Sequence, residues 1–304
     1  MDRGIFMKWL ATLLAFAAPA FAAPQLALTF DDLPAHAPMP PGTTRVEIAK
    51  TIIAALQAAG VSSATGFVNG GLLQQEPEAA PVLQLWHEAG FGFGNHTWSH
   101  PGLSKLTVED FEADVLKGEQ VLAENSAGAD WHWFRYPFLD EGDTPQKRAA
   151  VRSFLASRGY RVGTVTMTFD DWAYSEPYAR CAAKDDQASI AEMERDYFAA
   201  AEDSLDHSRK LSDELYGRDI PYVLLMHLGA FEARTMPKLL AFYRAKGFEF
   251  VSLAEAERDP YYDGFVDLAA PAPPTDLEHA AQDARLAAVP ARKDFVPVLD
   301  KMCR

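Results

Sequence analysis

The sequence has little cysteine and a deficit of positive charge. Its 304 residues include only two cysteines, which excludes a scaffold built mainly on disulfide bonds. The 28 basic residues are outnumbered by 43 acidic ones, so the net charge at pH 7 is −15. A surface of this sign repels polyanions, and we therefore expect no nucleic-acid partner.

Long apolar runs are also missing, except at the start of the chain. Arg3 and Lys8 precede an apolar segment that ends in small residues at Ala20 and Ala22. This pattern is typical of a cleaved secretory signal, and the segment is shorter than the ~20 apolar residues that span a bilayer. We predict a signal peptide over residues 1–22, a periplasmic or secreted protein, and no membrane span after cleavage. Cleavage would leave 26 basic and 42 acidic residues, a net charge of −16.

The two cysteines are Cys181 and Cys303. In an oxidising compartment they are expected to form a disulfide bond that ties the C-terminus to the body of the protein. A loop of that length stabilises by about 4–5 kcal/mol on a chain-entropy basis. Two free buried thiols are the alternative, because the sequence does not reveal their separation.

Short apolar runs alternate with segments of helical periodicity over residues 23–257. This alternation predicts an α/β catalytic domain whose parallel strands are covered by helices. The predicted strands are 26–30, 64–68, 91–94, 132–135, 161–168, 222–227 and 249–252. The predicted helices are 43–59, 79–89, 107–124, 144–158, 187–216 and 235–246.

Capping residues mark the ends of several predicted helices. Residues 258–304 are instead rich in proline, and we predict a C-terminal extension packed on the domain, with one short helix near 275–288. The predicted caps are threonines at helix N-termini (Thr43, Thr107 and Thr144) and glycines that follow helices (Gly60, Gly90, Gly159 and Gly247).

Two adjacent carboxylates, Asp31 and Asp32, follow the predicted strand 26–30. Charged side chains at the C-terminal end of a buried strand lie where α/β folds gather ligands and catalytic groups. We therefore predict a general base and a metal ligand side by side.

His96 and His100 are four residues apart. On one helical turn, both imidazoles would face the same way. This spacing alone is weak evidence, but two imidazoles with one carboxylate suit zinc or another divalent transition metal and leave positions open for water and substrate.

Three further segments place polar groups at predicted strand ends. Arg135 is either part of a surface salt bridge or a guanidinium that fixes one of the paired carboxylates as a base. Asp170 and Asp171 follow an apolar run, and His227 ends the predicted strand 222–227. A lone histidine after a strand is more often a core residue, but five such groups together favour an active site.

This ordered set resembles the motifs of the NodB-homology polysaccharide deacetylases, carbohydrate esterase family four. The resemblance covers residues 25–257 and implies a distorted (β/α) barrel with about seven strands. The segments that carry it are Thr29-Phe30-Asp31-Asp32, His96-Thr97-Trp98-Ser99-His100, Arg135-Tyr136-Pro137, Asp171-Trp172 and Leu225-Met226-His227.

The resemblance also implies a role for each motif residue. A divalent metal, zinc, would be held by Asp32, His96 and His100. Catalysis would use Asp31 as general base oriented by Arg135, and His227 as general acid supported by Asp171. Substrate would be bound by Tyr136, through its backbone N–H at the oxyanion, and by Pro137, Trp172 and Leu225; the rings of Trp98, Tyr136 and Phe138 could also stack on sugars.

Three positions depart from the family pattern. Leu33 and Leu139 stand where the family usually has glycine, and Val165 stands where an aromatic residue is common. These departures affect the expected substrate rather than the expected reaction. The proline-rich run 34–41, which includes His36, could form part of the cleft rim, but it is interpreted as a stiff loop.

The sequence therefore predicts an exported, metal-dependent deacetylase that removes N-acetyl groups from an amino-sugar polysaccharide or oligosaccharide and releases acetate. Peptidoglycan, a chitin-type oligomer and an exopolysaccharide are all suitable acetylated glycan partners. An O-acetylated xylan presents the same carbonyl. The alternatives are an amidohydrolase of a small non-sugar amide and a carbohydrate-binding module without activity. The oligomeric state is not predicted.

Overall fold

The computed structural model describes residues 23–126, 128, 130–269, 277, 280, 281 and 292–304. The predicted signal peptide and most of the predicted helix 275–288 lie outside these residues. No helix of the described chain is both long enough and apolar enough to cross a membrane.

Seven parallel strands form one curled sheet in the order β5-β4-β3-β2-β1-β6, and β7 also pairs with β1. The first strand is central because it pairs with three others. All seven predicted strands are present, and their bounds are Gln25–Leu33 (β1), Thr65–Val68 (β2), Gly92–Asn95 (β3), Trp133–Phe134 (β4), Arg161–Val162 (β5), Tyr222–His227 (β6) and Glu249–Val251 (β7).

An irregular segment after β5 brings the sheet round toward a barrel. The N–H groups of Thr166 and Met167 both donate to the carbonyl of Val223 at 3.1 Å. Met167 also forms an isolated parallel bridge with Leu224 in β6. The two ends of the sheet therefore approach each other, which is the distorted (β/α) barrel that the sequence predicts.

The predicted strand 161–168 is wrong in extent, because regular pairing ends at Val162. Side chains satisfy the backbone groups that follow. The Gly163 carbonyl accepts from Arg135 Nε at 2.9 Å, and the Thr164 N–H donates to Glu257 Oε1 at 2.7 Å. Neither partner is visible from local periodicity.

Helices cover the outside of the sheet, and five of those in the described chain were missed, three of them only four residues long. The segment Gly70–Gln75 is too short to show a helical period, and Ser175–Ala183 follows an irregular turn. The helix predicted over 235–246 begins earlier, at Ala230. Pro237 therefore lies in the interior of the helix, although proline is more common in a first turn. The helices of the described chain are Arg45–Ala58 (α1), Gly70–Gln75 (α2), Pro81–Glu88 (α3), Val108–Asn125 (α4), Pro145–Ser157 (α5), Ser175–Ala183 (α6), Gln187–Tyr216 (α7), Ala230–Ala245 (α8), Leu253–Ala256 (α9), Asp263–Val266 (α10) and Val296–Leu299 (α11).

Most of the predicted caps are confirmed. Thr107 and Thr144 each accept a backbone N–H in the first turn of α4 and α5. The cap of α1 is Thr44 rather than Thr43, because Thr44 forms a reciprocal capping box with Glu47. The four predicted glycines all have positive φ, between 68° and 88° (Gly60, Gly90, Gly159 and Gly247).

The C-terminal end of the chain packs on α6 and is joined to it by the predicted disulfide bond between Cys181 and Cys303. Leu299 in α11 is fully buried in the main core. The Arg180 guanidinium in α6 donates to the carbonyls of Leu299, Asp300 and Met302 at 3.0–3.3 Å. The last residues are therefore held by covalent, apolar and hydrogen-bonding contacts.

Candidate active site

A cleft of about 350 Å³ opens at the C-terminal ends of the strands. Parallel α/β sheets gather catalytic groups at this edge, because the loops that follow the strands meet there. The predicted site residues that line it are Asp31, Asp32, His96, His100, Trp172, Leu225 and His227.

Asp32, His96 and His100 point their donor atoms at one place. The two histidine Nε2 atoms are 3.2 Å apart, and Asp32 Oδ1 lies 3.7 Å from His96 Nε2 and 3.4 Å from His100 Nε2. Asp32 Oδ1 is buried and has no hydrogen-bond partner among the described residues. Two imidazole nitrogens and an unsatisfied carboxylate oxygen are a donor set that fits a divalent transition metal.

The two histidines do not lie on a helical turn, so that part of the prediction is wrong. Thr97 and His100 have left-handed φ values of 68° and 57°. The loop is held by side chains instead: Asn95 Oδ1 accepts the Thr97 N–H at 2.8 Å, and the Asp114 carboxylate accepts two further N–H groups of the loop at 2.9 Å. Left-handed backbone at a β-branched residue is rare, and such conformations cluster at functional sites.

Each imidazole can offer Nε2 as a ligand atom. His96 Nδ1 lies 2.9 Å from the Arg135 carbonyl, so an Nδ1–H donated to it leaves Nε2 free for a metal. Burial, and next the charge on His96, lowers the pKa of His100 to about 4. His100 is therefore unprotonated at neutral pH and offers a lone pair at Nε2.

Asp31 is held by Arg135 inside the barrel. Arg135 Nη1 donates to Asp31 Oδ1 at 2.9 Å and to Thr29 Oγ1 at 3.0 Å. The Arg135 side chain is fully buried, and its guanidinium carbon lies 4.3 Å from the centre of the Phe67 ring. The surface salt bridge is therefore excluded. Asp31 Oδ2 faces the metal ligands, 3.8 Å from His96 Nε2.

Glu257 lies behind Arg135, and sequence reasoning missed it. It follows α9 and is buried, with Oε1 accepting the Thr164 N–H. Burial raises the pKa of Glu257 to about 8, although that hydrogen bond and the charge on Arg135 act in the opposite direction. Glu257 is therefore largely protonated at neutral pH, and Asp31 is the carboxyl group that accepts a hydrogen bond from Arg135.

His227 is paired with Asp171, which is fully buried. Its Nδ1 lies 2.9 Å from Asp171 Oδ1, and its backbone N–H donates to Asp171 Oδ2 at 2.7 Å. Burial lowers the pKa of His227, but the charge and the hydrogen bond of Asp171 outweigh it and raise the pKa to about 10. His227 is thus an imidazolium at neutral pH and can donate a proton from Nε2.

His36 lines the cleft, which is the less favoured of the two interpretations of its sequence context. Its ring centre is 5.0 Å from that of His227, and its Nδ1 is 3.1 Å from Ser175 Oγ. Its Nε2 lies 3.9 Å from Asp32 Oδ2, the oxygen turned away from the two metal-site histidines. Burial, and next the charge on His227, lowers the pKa of His36. The cleft therefore holds a neutral imidazole that sequence reasoning did not assign.

The predicted substrate-binding residues divide into two groups. Leu225 and Trp172 line the cleft, and Trp172 is half exposed. The Tyr136 side chain is buried and stacks on Phe111, with ring centres 6.1 Å apart, so it does not reach the cleft. Stacking of Tyr136 on a sugar is therefore wrong, and its backbone N–H at the oxyanion remains a prediction. Pro137 is also buried.

Exposed aromatic surface at the rim comes from Phe138. This side chain is 73% exposed, and its ring centre lies 4.5 Å from that of His100. Phe138 and Leu139 have left-handed φ values of 58° and 54°. Leu139 thus keeps a backbone conformation that glycine adopts freely, and its side chain adds apolar surface to the cleft.

Part of the chain matches a known protein family. The model of the family described as "Polysaccharide deacetylase" matches residues 19–162. A chitin deacetylase 3 of Cryptococcus neoformans is 31% identical over 137 residues, which is 44% of this chain and 29% of that protein. A peptidoglycan-N-acetylglucosamine deacetylase of Bacillus cereus is 28% identical over 140 residues, 45% of this chain and 46% of that protein. The match spans less than half the length of these two relatives.

The fold is shared with solved structures. The peptidoglycan deacetylase PdaC of Bacillus subtilis superposes with a TM-score of 0.50 at 18% sequence identity, covering 86% of this chain and 96% of that one. At this identity the likeness concerns the fold alone, which is the curled parallel sheet predicted from the motifs. Over residues 19–162 the chain resembles the polysaccharide deacetylase family, the NodB-homology group known as carbohydrate esterase family four.

Proposed function

We propose that this protein is a metal-dependent hydrolase that removes N-acetyl groups from an amino-sugar polysaccharide or oligosaccharide. One observation carries the proposal: a metal donor set, a buried carboxylate with a fixed cation, and a protonated histidine meet in one cleft. A module that only binds glycans has no use for a base and an acid. The match of residues 19–162 to the polysaccharide deacetylase family supports an acetylated glycan as the substrate.

Asp32, His96 and His100 would hold the metal, and zinc suits this donor set. When bound, the metal supplies a water of lowered pKa and polarises the acetyl carbonyl. Asp32 Oδ1 then gains the partner that it lacks among the described side chains.

Asp31 is the general base. Arg135 occupies its Oδ1 and leaves Oδ2 on the side of the metal ligands, where it can accept a proton from the attacking water. The same hydrogen bond holds the carboxylate in one orientation. Since Arg135 is itself fixed through Thr29 and Gly163, the base has little freedom to move.

His227 is the general acid. The water oxygen adds to the acetyl carbon, the carbon–nitrogen bond breaks, and the products are acetate and a free amine. An amide nitrogen must gain a proton to leave, and the His227 imidazolium can give one. Asp171 holds the ring through Nδ1, so that Nε2 carries the transferable proton.

The remaining residues position the substrate. Trp172 and Leu225 would enclose the acetyl methyl group, and the backbone N–H of Tyr136 would stabilise the oxyanion, next to Pro137. Exposed aromatic surface at Phe138 suits the face of a sugar ring.

We also propose that residues 1–22 direct export, that residues 23–257 form the catalytic domain and that residues 258–304 extend it. The disulfide bond between Cys181 and Cys303 supports an oxidising compartment, because such bonds rarely persist in the cytosol.

The test is to incubate the zinc-loaded protein with N-acetylglucosamine oligomers, peptidoglycan, acetylated xylan and small acyl amides, and to measure acetate and free amine. Acetate with equimolar amine from an amino-sugar glycan supports the proposal. Acetate from none of the glycans, or release only from small amides, overturns it.

Two variants test the residue roles in the same assay. Asp31→Asn should keep stoichiometric metal but lose roughly 100-fold or more in rate, because the base is gone. His96→Ala combined with His100→Ala should lose the metal, as measured by elemental analysis. Asp130→Asn, an exposed carboxylate beside His132, is the matched control and should leave both quantities unchanged. Full activity of the Asp31 variant, or metal in the double variant, refutes the assigned roles.

A further inference from the structure

The C-terminal extension reaches the rim of the cleft. Arg292 Nη1 donates to the Thr168 carbonyl at 2.7 Å and lies 3.6 Å from Asp170 Oδ2. Thr168 and Asp170 both line the cleft. The family match ends at residue 162, so this contact joins two parts of the chain that the match does not cover.

The turn that Arg292 contacts is conformationally demanding. Asp170 has left-handed backbone angles, φ 56° and ψ 40°, which are uncommon for a residue other than glycine. The turn leads directly into a 3-10 helix over Asp171–Tyr174, and the Asp170 carbonyl accepts the Ala173 N–H at 3.0 Å. The geometry at Asp170 therefore sets the positions of Asp171, the partner of His227, and of Trp172 at the cleft.

The extension is itself anchored at several points after Arg292. The backbone N–H of Lys293 donates to Asp203 Oδ2 in α7 at 2.7 Å. Further along, the disulfide bond of Cys303 and the Arg180 hydrogen bonds attach the chain end to α6, the helix that follows the 3-10 segment. The chain segment that carries Arg292 is thus held in place next to the turn.

We propose that Arg292 is a positioning residue of the active site. It acts through the left-handed turn at Asp170, and so fixes Asp171 against His227 and holds Trp172 at the cleft. The inference rests on the proposed function, since it assigns catalytic and substrate-binding roles to the residues that the turn carries. The C-terminal extension accordingly contributes to the function of the cleft.

Arg292 positions the turn through its charge rather than through its hydrogen bond to Thr168. Ser204 Oγ also donates to the Thr168 carbonyl, at 2.6 Å, so that carbonyl keeps a partner when Arg292 is replaced. The Asp170 carboxylate would lose the cation beside it. A lysine at position 292 should therefore recover part of what a glutamine loses.

The experiment compares Arg292→Gln, Arg292→Lys and the matched control Lys293→Gln, each as the full-length, zinc-loaded protein. With an acetylated glycan that the wild type hydrolyses, the Arg292→Gln variant should lose about 10- to 100-fold in kcat/KM, through both constants, because small displacements of catalytic groups are costly. Arg292→Lys should recover part of the loss, and Lys293→Gln should match the wild type. Kinetics of Arg292→Gln within twofold of wild type overturn the inference, even if its melting temperature falls.

A second background tests the route through the turn. Asp170→Gly allows the left-handed conformation without strain, so adding Arg292→Gln to it should cost much less than in the wild type. An equal loss in both backgrounds contradicts transmission through this turn.

Amide hydrogen exchange without substrate separates this inference from the proposed function. Exchange over residues 169–175 should be faster in Arg292→Gln and unchanged in Lys293→Gln. If the wild type released no acetate from any glycan, the proposed function would fail while this measurement still tested the positioning. Unaltered exchange in Arg292→Gln would refute the positioning even in an active enzyme.

Discussion

Replacing Asp171 by asparagine should move the charge of His227 across neutral pH. Burial lowers the pKa of His227, and Asp171 reverses this to give about 10. Without the carboxylate, burial remains, and we expect the pKa to fall to the ordinary value of about 6.5 or below. A fall of at least ~3 units corresponds to about 4 kcal/mol of lost preference for the charged form.

The direction of the pH effect follows from the proton that a general acid must carry. The wild type keeps His227 protonated up to the alkaline range, so loss of the acid should limit kcat/KM only there. In Asp171→Asn about a tenth or less of the imidazole is protonated at pH 7.5, so kcat/KM should fall at least roughly tenfold at that pH. The deficit should shrink as the pH is lowered toward 6.

Two measurements check this prediction. Acetate release between pH 5.5 and 9 gives the kinetic profile, and NMR titration of the His227 ring in chelator-treated protein gives its protonation directly. Asp130→Asn is the matched control, because its carboxylate also lies beside a histidine, His132, but outside the cleft. A ring that titrates near 10 in Asp171→Asn, or a rate deficit that is the same at every pH, would refute the reasoning.

Three further outcomes are expected. The pKa of Glu257 in the folded protein is raised above its unfolded value, so its contribution to stability is complete below about pH 4.5 and is lost as the pH rises through 8. The melting temperature of Glu257→Gln should therefore fall less than that of the wild type between pH 5 and 8. Replacing Cys181 and Cys303 by serine should lower the free energy of unfolding by up to about 4–5 kcal/mol in denaturant titrations, and a reducing agent should no longer affect the variant. His36→Ala should weaken metal binding about tenfold in a chelator competition, because the imidazole beside Asp32 Oδ2 is lost. Unchanged affinity would show that His36 does not support the metal site.

The sequence predicts most of the site because its motif residues lie at, or directly after, the C-terminal ends of strands. Asp31 and Asp32 lie in the last part of β1, which extends beyond the predicted strand to Leu33, and His227 ends β6, where it lies in register with Asp31. Once the strands are placed side by side, adjacency at one sheet edge follows without further information. The family resemblance then assigns each group a role.

The residues that were missed depend on contacts between distant parts of the chain. His36 meets Ser175 across 139 residues, Glu257 meets Thr164 across 93, and Arg292 meets Thr168 across 124. No local periodicity or residue spacing in the sequence predicts such contacts.

The same reason explains the error at the histidine loop. A four-residue spacing is compatible with a helical turn, but Asn95 and Asp114 supply hydrogen bonds that hold a different backbone. Asp114 lies in α4, 15 residues beyond the loop residue Ser99 that it binds. A spacing rule contains no information about such a partner.

The central position of β1 has a consequence for the order in which the protein can fold. This strand begins at Gln25, but its neighbours β6 and β7 are the last strands of the sheet, and Thr29 bonds to Leu224 across 195 residues. A chain that emerges from its N-terminus therefore presents its most connected strand before most of the partners exist. Contacts of such long range slow folding and leave strand edges exposed in the meantime. The barrel can close only after the segments that carry β6 and β7 have emerged.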